Sequence, residues 1–225
     1  MMTAPRALLF DMDGLLLDTE RLYFRSWQAA AAQCGLHLPE PVILGMVGLR
    51  QAECRAWLRQ QMGEDWPVEG VEAASRDWFH QVLEREGPPL KPGVPRILHF
   101  ARQHALPCAV ATSTAGALAR HKLERAGLLA SFHHVIAGDD IPRGKPAPDI
   151  YLAAARAVAT EPRHCLVLED SLPGVEAGLA AGMSVCMVPD LIAPPEAFAA
   201  RGVWIAASLD LVCQTLGRRL EHHAT

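Results

Sequence analysis

Asp11 and Asp13 stand one residue apart at the end of the apolar run Ala7-Leu8-Leu9-Phe10, and Gly14 follows at once. In extended chain their side chains project to the same side, with Met12 on the other. Two such carboxylates repel unless a cation lies between them. Three more polar sets follow apolar stretches: Thr112-Ser113-Thr114, Lys145 in Gly144-Lys145-Pro146, and Glu169-Asp170. Carboxylate oxygens are hard ligands that suit magnesium, whose shell phosphate oxygens complete. Lysine supplies a compact charge for another phosphate oxygen. The Thr112 hydroxyl can hydrogen-bond a phosphate, and the backbone N–H groups of Ser113 and Thr114 are expected to open a helix aimed at it. These types and spacings point to a divalent cation and phosphate site in which one carboxylate also does chemistry. The plainer reading of Asp11-Met12-Asp13 is a solvated acidic turn.

For these residues to converge, the runs before them must be neighbouring strands of one sheet. Ala7-Leu8-Leu9-Phe10 reads as a strand covered on both faces, as do 106–111, 134–137, 165–168, 184–188 and 203–205. Helical patterns near 93–104 and 115–126, one opening at Asp149, and one after Glu169-Asp170-Ser171 alternate with them. Gly174, Gly178 and Gly182, four apart, are expected to let that last helix pack closely on the sheet. Alternation with short connections predicts an α/β, Rossmann-like parallel sheet with helices on both faces. In such sheets ligands bind beyond the carboxyl ends of the strands.

Residues 18–90 break the alternation. Asp18 or Thr19 can cap a helix whose apolar stripe is Phe24, Trp27, Ala31 and Cys34, ending near Gly35. Helices follow at about 51–62 and 70–86, with no strand signal. Trp27, Trp57, Trp66 and Trp78 fall here, so the stretch is expected to carry its own small core. The Gly87-Pro88-Pro89-Leu90-Lys91-Pro92-Gly93 linker bounds it. The expected organisation is a core in two pieces, 1–17 and 91–225, with a small all-helical cap at 18–90 inserted after the first strand.

A net charge of −4 and no basic stripe exclude a nucleic-acid partner on electrostatic grounds. No apolar run reaches the roughly 20 residues needed to span a bilayer, so no membrane partner is expected. The first residues do not look like a signal peptide, and the six cysteines form no CxxC pair. The expectation is a soluble cytoplasmic protein, monomer or weak dimer. Gly138 to Lys145 has a passing likeness to a nucleotide-binding P-loop, but five residues separate its glycines and Pro146 stands where Ser or Thr would hold the metal.

Taken together, Asp11-Met12-Asp13-Gly14, Thr112, Lys145 in Gly144-Lys145-Pro146-Ala147-Pro148-Asp149, and Leu168-Glu169-Asp170-Ser171 resemble, in order and spacing, the four motifs of the haloacid dehalogenase superfamily. Asp18-Thr19-Glu20 and the helical insertion are similar to its β-phosphoglucomutase and phosphoglycolate phosphatase branch. The wording from Phe10 to Tyr23 is closest to small-molecule phosphatases of that branch, pseudouridine-5′-phosphatases included.

The resemblance implies that Asp11 attacks phosphorus and that Asp13 protonates the leaving alcohol and then deprotonates water. It implies that Asp11, the backbone carbonyl of Asp13 and Asp170 hold Mg2+, with Glu169 a direct ligand or one step removed. Thr112 and Lys145 would stabilise the transferring group, and the partner would be a small phosphorylated metabolite. Arg50 in the cap is either a substrate contact or a solvated helix-start arginine, and specificity is expected in the cap at about 45–80. Mutase-like members carry a histidine near the start of the first cap helix, where this chain has Tyr23. That departure favours hydrolysis over a sugar-phosphate mutase. A phospho-accepting signalling module needs neither an Asp13-like acid nor such an insertion.

Overall fold

The computed structural model describes residues 4–46, 51–190 and 193–223. In chain order the elements are β1 (Ala7–Phe10), α1 (Thr19–Gln33), α2 (Glu40–Leu44), α3 (Gln51–Met62), α4 (Val68–Glu86), α5 (Val94–Gln103), β2 (Cys108–Ala111), α6 (Gly116–Arg125), β3 (His134–Ile136), α7 (Asp149–Ala157), β4 (Cys165–Glu169), α8 (Leu172–Ala180), β5 (Ser184–Met187), α9 (Glu196–Ala200), β6 (Trp204–Ile205) and α10 (Leu209–His223). They form two compact units, Met1–Asp18 with Pro89–Thr225, and Thr19–Pro88.

The larger unit is a parallel six-stranded sheet in the order β3-β2-β1-β4-β5-β6. Alternation along β1 sorts its side chains between two cores. Leu8 and Phe10 join Val94, Ile97, Val212 and Leu216 from α5 and α10 on one face. Ala7 and Leu9 join Ile150, Tyr151, Ala154 and Val175 from α7 and α8 on the other. Burial on both faces explains the unbroken apolar runs. Register then decides which strand ends meet: Phe10 pairs with Val110 on one side and Leu168 on the other. The residues that follow, Asp11, Ala111-Thr112 and Glu169, therefore lie side by side. The order reverses direction between β1 and β4, the place where open α/β sheets bind ligands.

The strand segments are shorter than their apolar runs. Leu106 and Pro107 precede β2, since proline cannot donate to a ladder. Of the three spaced glycines, two pack as expected. A Cβ at Gly178 would lie 2.8 Å from Val185 of β5, whereas Gly182 meets nothing within 4 Å and serves the turn after α8 with φ +71°. His222 and His223 lie in the last turn of α10.

The smaller unit is all helical among its described residues, with α1 packed along α4. Its core holds Trp27, Leu58, Val68 and Val71, with Trp57 and Trp66 against it. Trp78 is not part of that core and takes the Arg25 guanidinium over its ring at 5.8 Å. The buried face of α1 runs through Leu22, Ser26, Trp27, Ala30 and Ala31, leaving Cys34 exposed rather than on the stripe. Ser26 sits inward because its hydroxyl meets that of Ser75 at 2.7 Å, so a polar pair replaces an apolar contact at that turn. Gly35 follows the helix with φ +70°, the left-handed ending its type suits. No helix among the described residues is long and apolar enough to cross a membrane.

Candidate active site

Asp11, Thr112 and Glu169 are each placed by the end of a strand. β1 stops at Phe10; Asp11 still donates its N–H to Leu168, and then the chain turns, with Leu16 and Leu17 both donating to Met12 O. Gly14 makes that turn at φ +88°, and a Cβ there would lie 2.1 Å from Asp170 Oδ2. This position needs glycine for both reasons.

Asp11, Glu169 and Asp170 bring carboxylate oxygens within 4.8 Å of one another. Lys145 enters this acidic group with its side chain 5% exposed: its Nζ is 2.5 Å from Asp11 Oδ1, 2.6 Å from Glu169 Oε1 and 3.1 Å from Ala111 O. The loop that delivers it is braced by Arg143, which donates Nε and a terminal N–H to the two oxygens of Asp149 at 3.1 and 2.9 Å.

Glu169 is fully buried and saturated with donors. Lys145 and the Tyr151 hydroxyl, 2.6 Å away, meet Oε1. The N–H groups of Asp170 and Ser171 and the Ser171 hydroxyl meet Oε2. Ser171 also caps α8 by accepting from Gly174 N–H. With both oxygens so engaged, Glu169 orients Lys145 and is poorly placed to give an oxygen to a metal.

Asp170 is different. Its Oδ1 is buried without a hydrogen-bond partner. Burial, followed by the charges of Asp11 and Glu169, pushes its carboxyl up to about 9. Burial raises Asp11 to about 7 against the opposing pull of Lys145. Burial is the largest influence on Glu169 and would raise it, yet Lys145, Tyr151 and the Ser171 N–H together outweigh it and hold Glu169 below the usual range. Asp11 and Asp170 thus form a pair of hard oxygen donors whose charges are under-compensated, one oxygen of Asp170 having no hydrogen-bond partner. A divalent cation fits this donor set.

Where Asp11 meets Lys145, the Asp13 carboxylate meets Lys122 and Thr114. Its Oδ1 is 2.8 Å from Lys122 Nζ and its Oδ2 accepts from the Thr114 hydroxyl at 2.7 Å. Thr112 is 2% exposed, and its Oγ1 accepts from Thr114 N–H at 3.1 Å. The helix after β2 starts at Gly116 rather than at Ser113 and Thr114, so the Thr114 N–H serves a local turn and Ser113 is exposed. Asp139 and Asp140 are exposed, and they also accept from the backbone N–H groups of Gly116 and Ala137, each at 2.8 Å. Arg50 lies outside the described residues. Tyr23 is on α1 in the smaller unit, 42% exposed, its ring edge-on to Trp27.

Sequence reasoning missed Lys122 and Tyr151. Lys122 stands three residues after Ala119 and one before Leu123, both buried, and a lysine on an apolar stripe was the available signal. Tyr151 follows Asp149 by two, on the buried face of α7, and nothing in its spacing marks it from an ordinary core aromatic.

A family model described as haloacid dehalogenase-like hydrolase matches residues 5–182. A probable pseudouridine-5′-phosphatase of Drosophila melanogaster is 34% identical over 188 residues, 81% of this chain and 80% of that protein. A phosphorylated carbohydrates phosphatase of Thermotoga maritima is 32% identical over 181 residues, 79% of this chain and 82% of that protein. Among solved structures, a HAD family hydrolase from Deinococcus radiodurans with bound phosphate and sodium superposes with a TM-score of 0.84 at 27% identity, over 96% of this chain and 97% of that one. By sequence and by fold, this chain belongs to the haloacid dehalogenase-like hydrolases.

Proposed function

We propose that this hydrolase is a magnesium-dependent phosphatase of small phosphate monoesters, such as a sugar phosphate, phosphoglycolate or a nucleotide-like ester, acting through an aspartyl-phosphate. The observation that carries the reading is Asp11: a buried carboxylate with Lys145 on Oδ1 and Asp170 with its orphaned oxygen alongside. Relatives named as phosphatases of pseudouridine phosphate and of phosphorylated carbohydrates support the substrate class.

Lys145 engages Oδ1, which leaves Oδ2 of Asp11 to form the bond to phosphorus as the ester bond breaks. Asp13 gives its proton to the leaving oxygen. It then takes one from the water that attacks phosphorus, the bond to Asp11 breaks, and phosphate is released. Lys145 and Thr112 compensate charge on the transferring group, where positioning and electrostatics do most of the work. Asp11, Asp170 and the Asp13 carbonyl would hold magnesium, which when bound supplies further positive charge to the phosphoryl oxygens. Ser113 and Thr114 would border the phosphate as loop residues, and Arg50 is a substrate-contact candidate from the cap.

The test is phosphate release from a panel of hexose phosphates, phosphoglycolate, nucleotides and pseudouridine 5′-phosphate, with magnesium and with EDTA. Free alcohol and phosphate from at least one ester, lost in EDTA and in Asp11→Asn, are expected. Appearance of the 6-phosphate from a hexose 1-phosphate, without free sugar, would replace hydrolysis by a mutase reaction. Full turnover in EDTA would remove magnesium from the reading.

A further inference from the structure

We infer that Lys122 is a positioning residue for the acid–base step, holding the Asp13 carboxylate in one orientation with Oδ1 on Lys122 and Oδ2 on the Thr114 hydroxyl. The inference rests on the reading of Asp13 as proton carrier and adds a residue to it. Lys122 lies on α6, and the face that buries Ala119 and Leu123 buries it as well; its side chain is 8% exposed. A lysine held there meets a charged partner, since an unpaired ammonium off water is strongly disfavoured. That partner is Asp13 Oδ1, at 2.8 Å. Oδ2 faces the Thr114 hydroxyl at 2.7 Å.

The two neighbours differ in what they can accept. An ammonium has three donors and no acceptor, so a proton on Oδ1 would find no acceptor in Lys122 and would weaken the ion pair. A hydroxyl donates or accepts, so Thr114 can turn to receive a proton placed on Oδ2. Lys122 on Oδ1 and Thr114 on Oδ2 therefore hold the carboxylate in one orientation, with Oδ2 the oxygen placed to exchange a proton. In the first half-reaction the Oδ2–H bond breaks as the leaving oxygen gains that proton and parts from phosphorus. In the second, water loses a proton to Oδ2 as its oxygen bonds to phosphorus and the bond to Asp11 breaks. Lys122 gives up no proton in either half, and holds the carboxylate through both.

The experiment compares single-turnover alcohol release from an alkyl phosphate, whose leaving group needs the proton, and from p-nitrophenyl phosphate, whose leaving group does not. Lys122→Met, Lys122→Gln and Lys122→Arg are measured beside Asp13→Asn, with folding followed by circular dichroism. Lys122→Met and Lys122→Gln are expected to slow alkyl ester cleavage by about tenfold or more. Activated ester cleavage should change by less than about threefold, KM should hold within about twofold, and Lys122→Arg should recover much of the rate. Equal losses for both esters, or a loss confined to KM, would overturn the inference. So would failure of both neutral variants to fold, which would place Lys122 in the fold and not in the reaction. If Asp13→Asn discriminates between the esters and Lys122→Met does not, the inference alone fails. If Asp13→Asn does not discriminate either, the reading of Asp13 beneath it fails.

Discussion

Glu169 presents its Oε1 to Lys145 Nζ at 2.6 Å with no part of its side chain exposed. Its other oxygen is held by the start of α8, so the pair ties the loop after β3 to the end of β4. Glu169→Gln keeps the shape and removes the charge. The expected cost is about 2–3 kcal/mol, the worth of a hydrogen bond to a charged group plus the unsatisfied remainder. Urea denaturation measures it. Turnover should fall by about a hundredfold as Lys145 loses its fixed direction, a loss on the scale of about 3 kcal/mol. Saturating magnesium should not restore it; restoration would make Glu169 a metal ligand after all.

Three glycines of the α8 region separate three physical effects. A Cβ at Gly174 would fall 1.7 Å from Glu169 Oε1, at Gly178 2.8 Å from Val185, and at Gly182 in open space but at φ +71°. Alanine at Gly174 should cost most and also depress turnover, because a buried carboxylate with five donors must move. At Gly178 overpacking should cost about 1–3 kcal/mol with turnover little changed. At Gly182 only the left-handed backbone is strained, at about 1–2 kcal/mol. Melting temperatures and turnover of the three variants check this order, and a Gly174→Ala protein of native activity would contradict the account of Glu169.

The metal-free protein should become less stable as pH rises. Asp11 at about 7 and Asp170 at about 9 both lie above their ordinary value of 3.8. Between those values the folded chain binds protons that the unfolded chain has released, so unfolding free energy falls as pH climbs from about 4 through about 9. Glu169, held below 4.5, has the opposite slope, but only in more acid solution. In EDTA the melting temperature should fall over this window. Magnesium should raise it more at about pH 8 than at about pH 5.5, since protons compete for the same oxygens. An equal rise at both would contradict a site built from these carboxylates.

Lys91 follows Pro89, whose carbonyl accepts from Asp18 N–H, and its Nζ pairs with Asp190 at 2.5 Å, the two side chains 14% and 4% exposed. Lys91→Met leaves the Asp190 carboxylate buried beside an apolar chain and should cost about 3 kcal/mol or more. Adding Asp190→Asn to it should recover a large part of that loss. A double variant no more stable than Lys91→Met would show that the charge was not the cause.

The sequence alone determined the alternation of apolar runs with helices, the helical insertion and the four polar sets at the strand ends. These are short-range properties: an apolar run with no charge needs two covered faces, and glycine and proline punctuate the chain locally. Tertiary structure decided which carboxylate does what. Register across β1 brought Asp11 beside Glu169 on one side and Ala111, next to Thr112, on the other. Past the turn at Gly14 the Asp13 carboxylate meets Lys122 and Thr114, whereas Asp11 meets Lys145. Lys122 and Tyr151 came from helices far along the chain to meet those acids, at 109 and 18 residues' separation. Contacts of that kind depend on how a helix is turned against the sheet, and that rotation is set by the packing of the whole core.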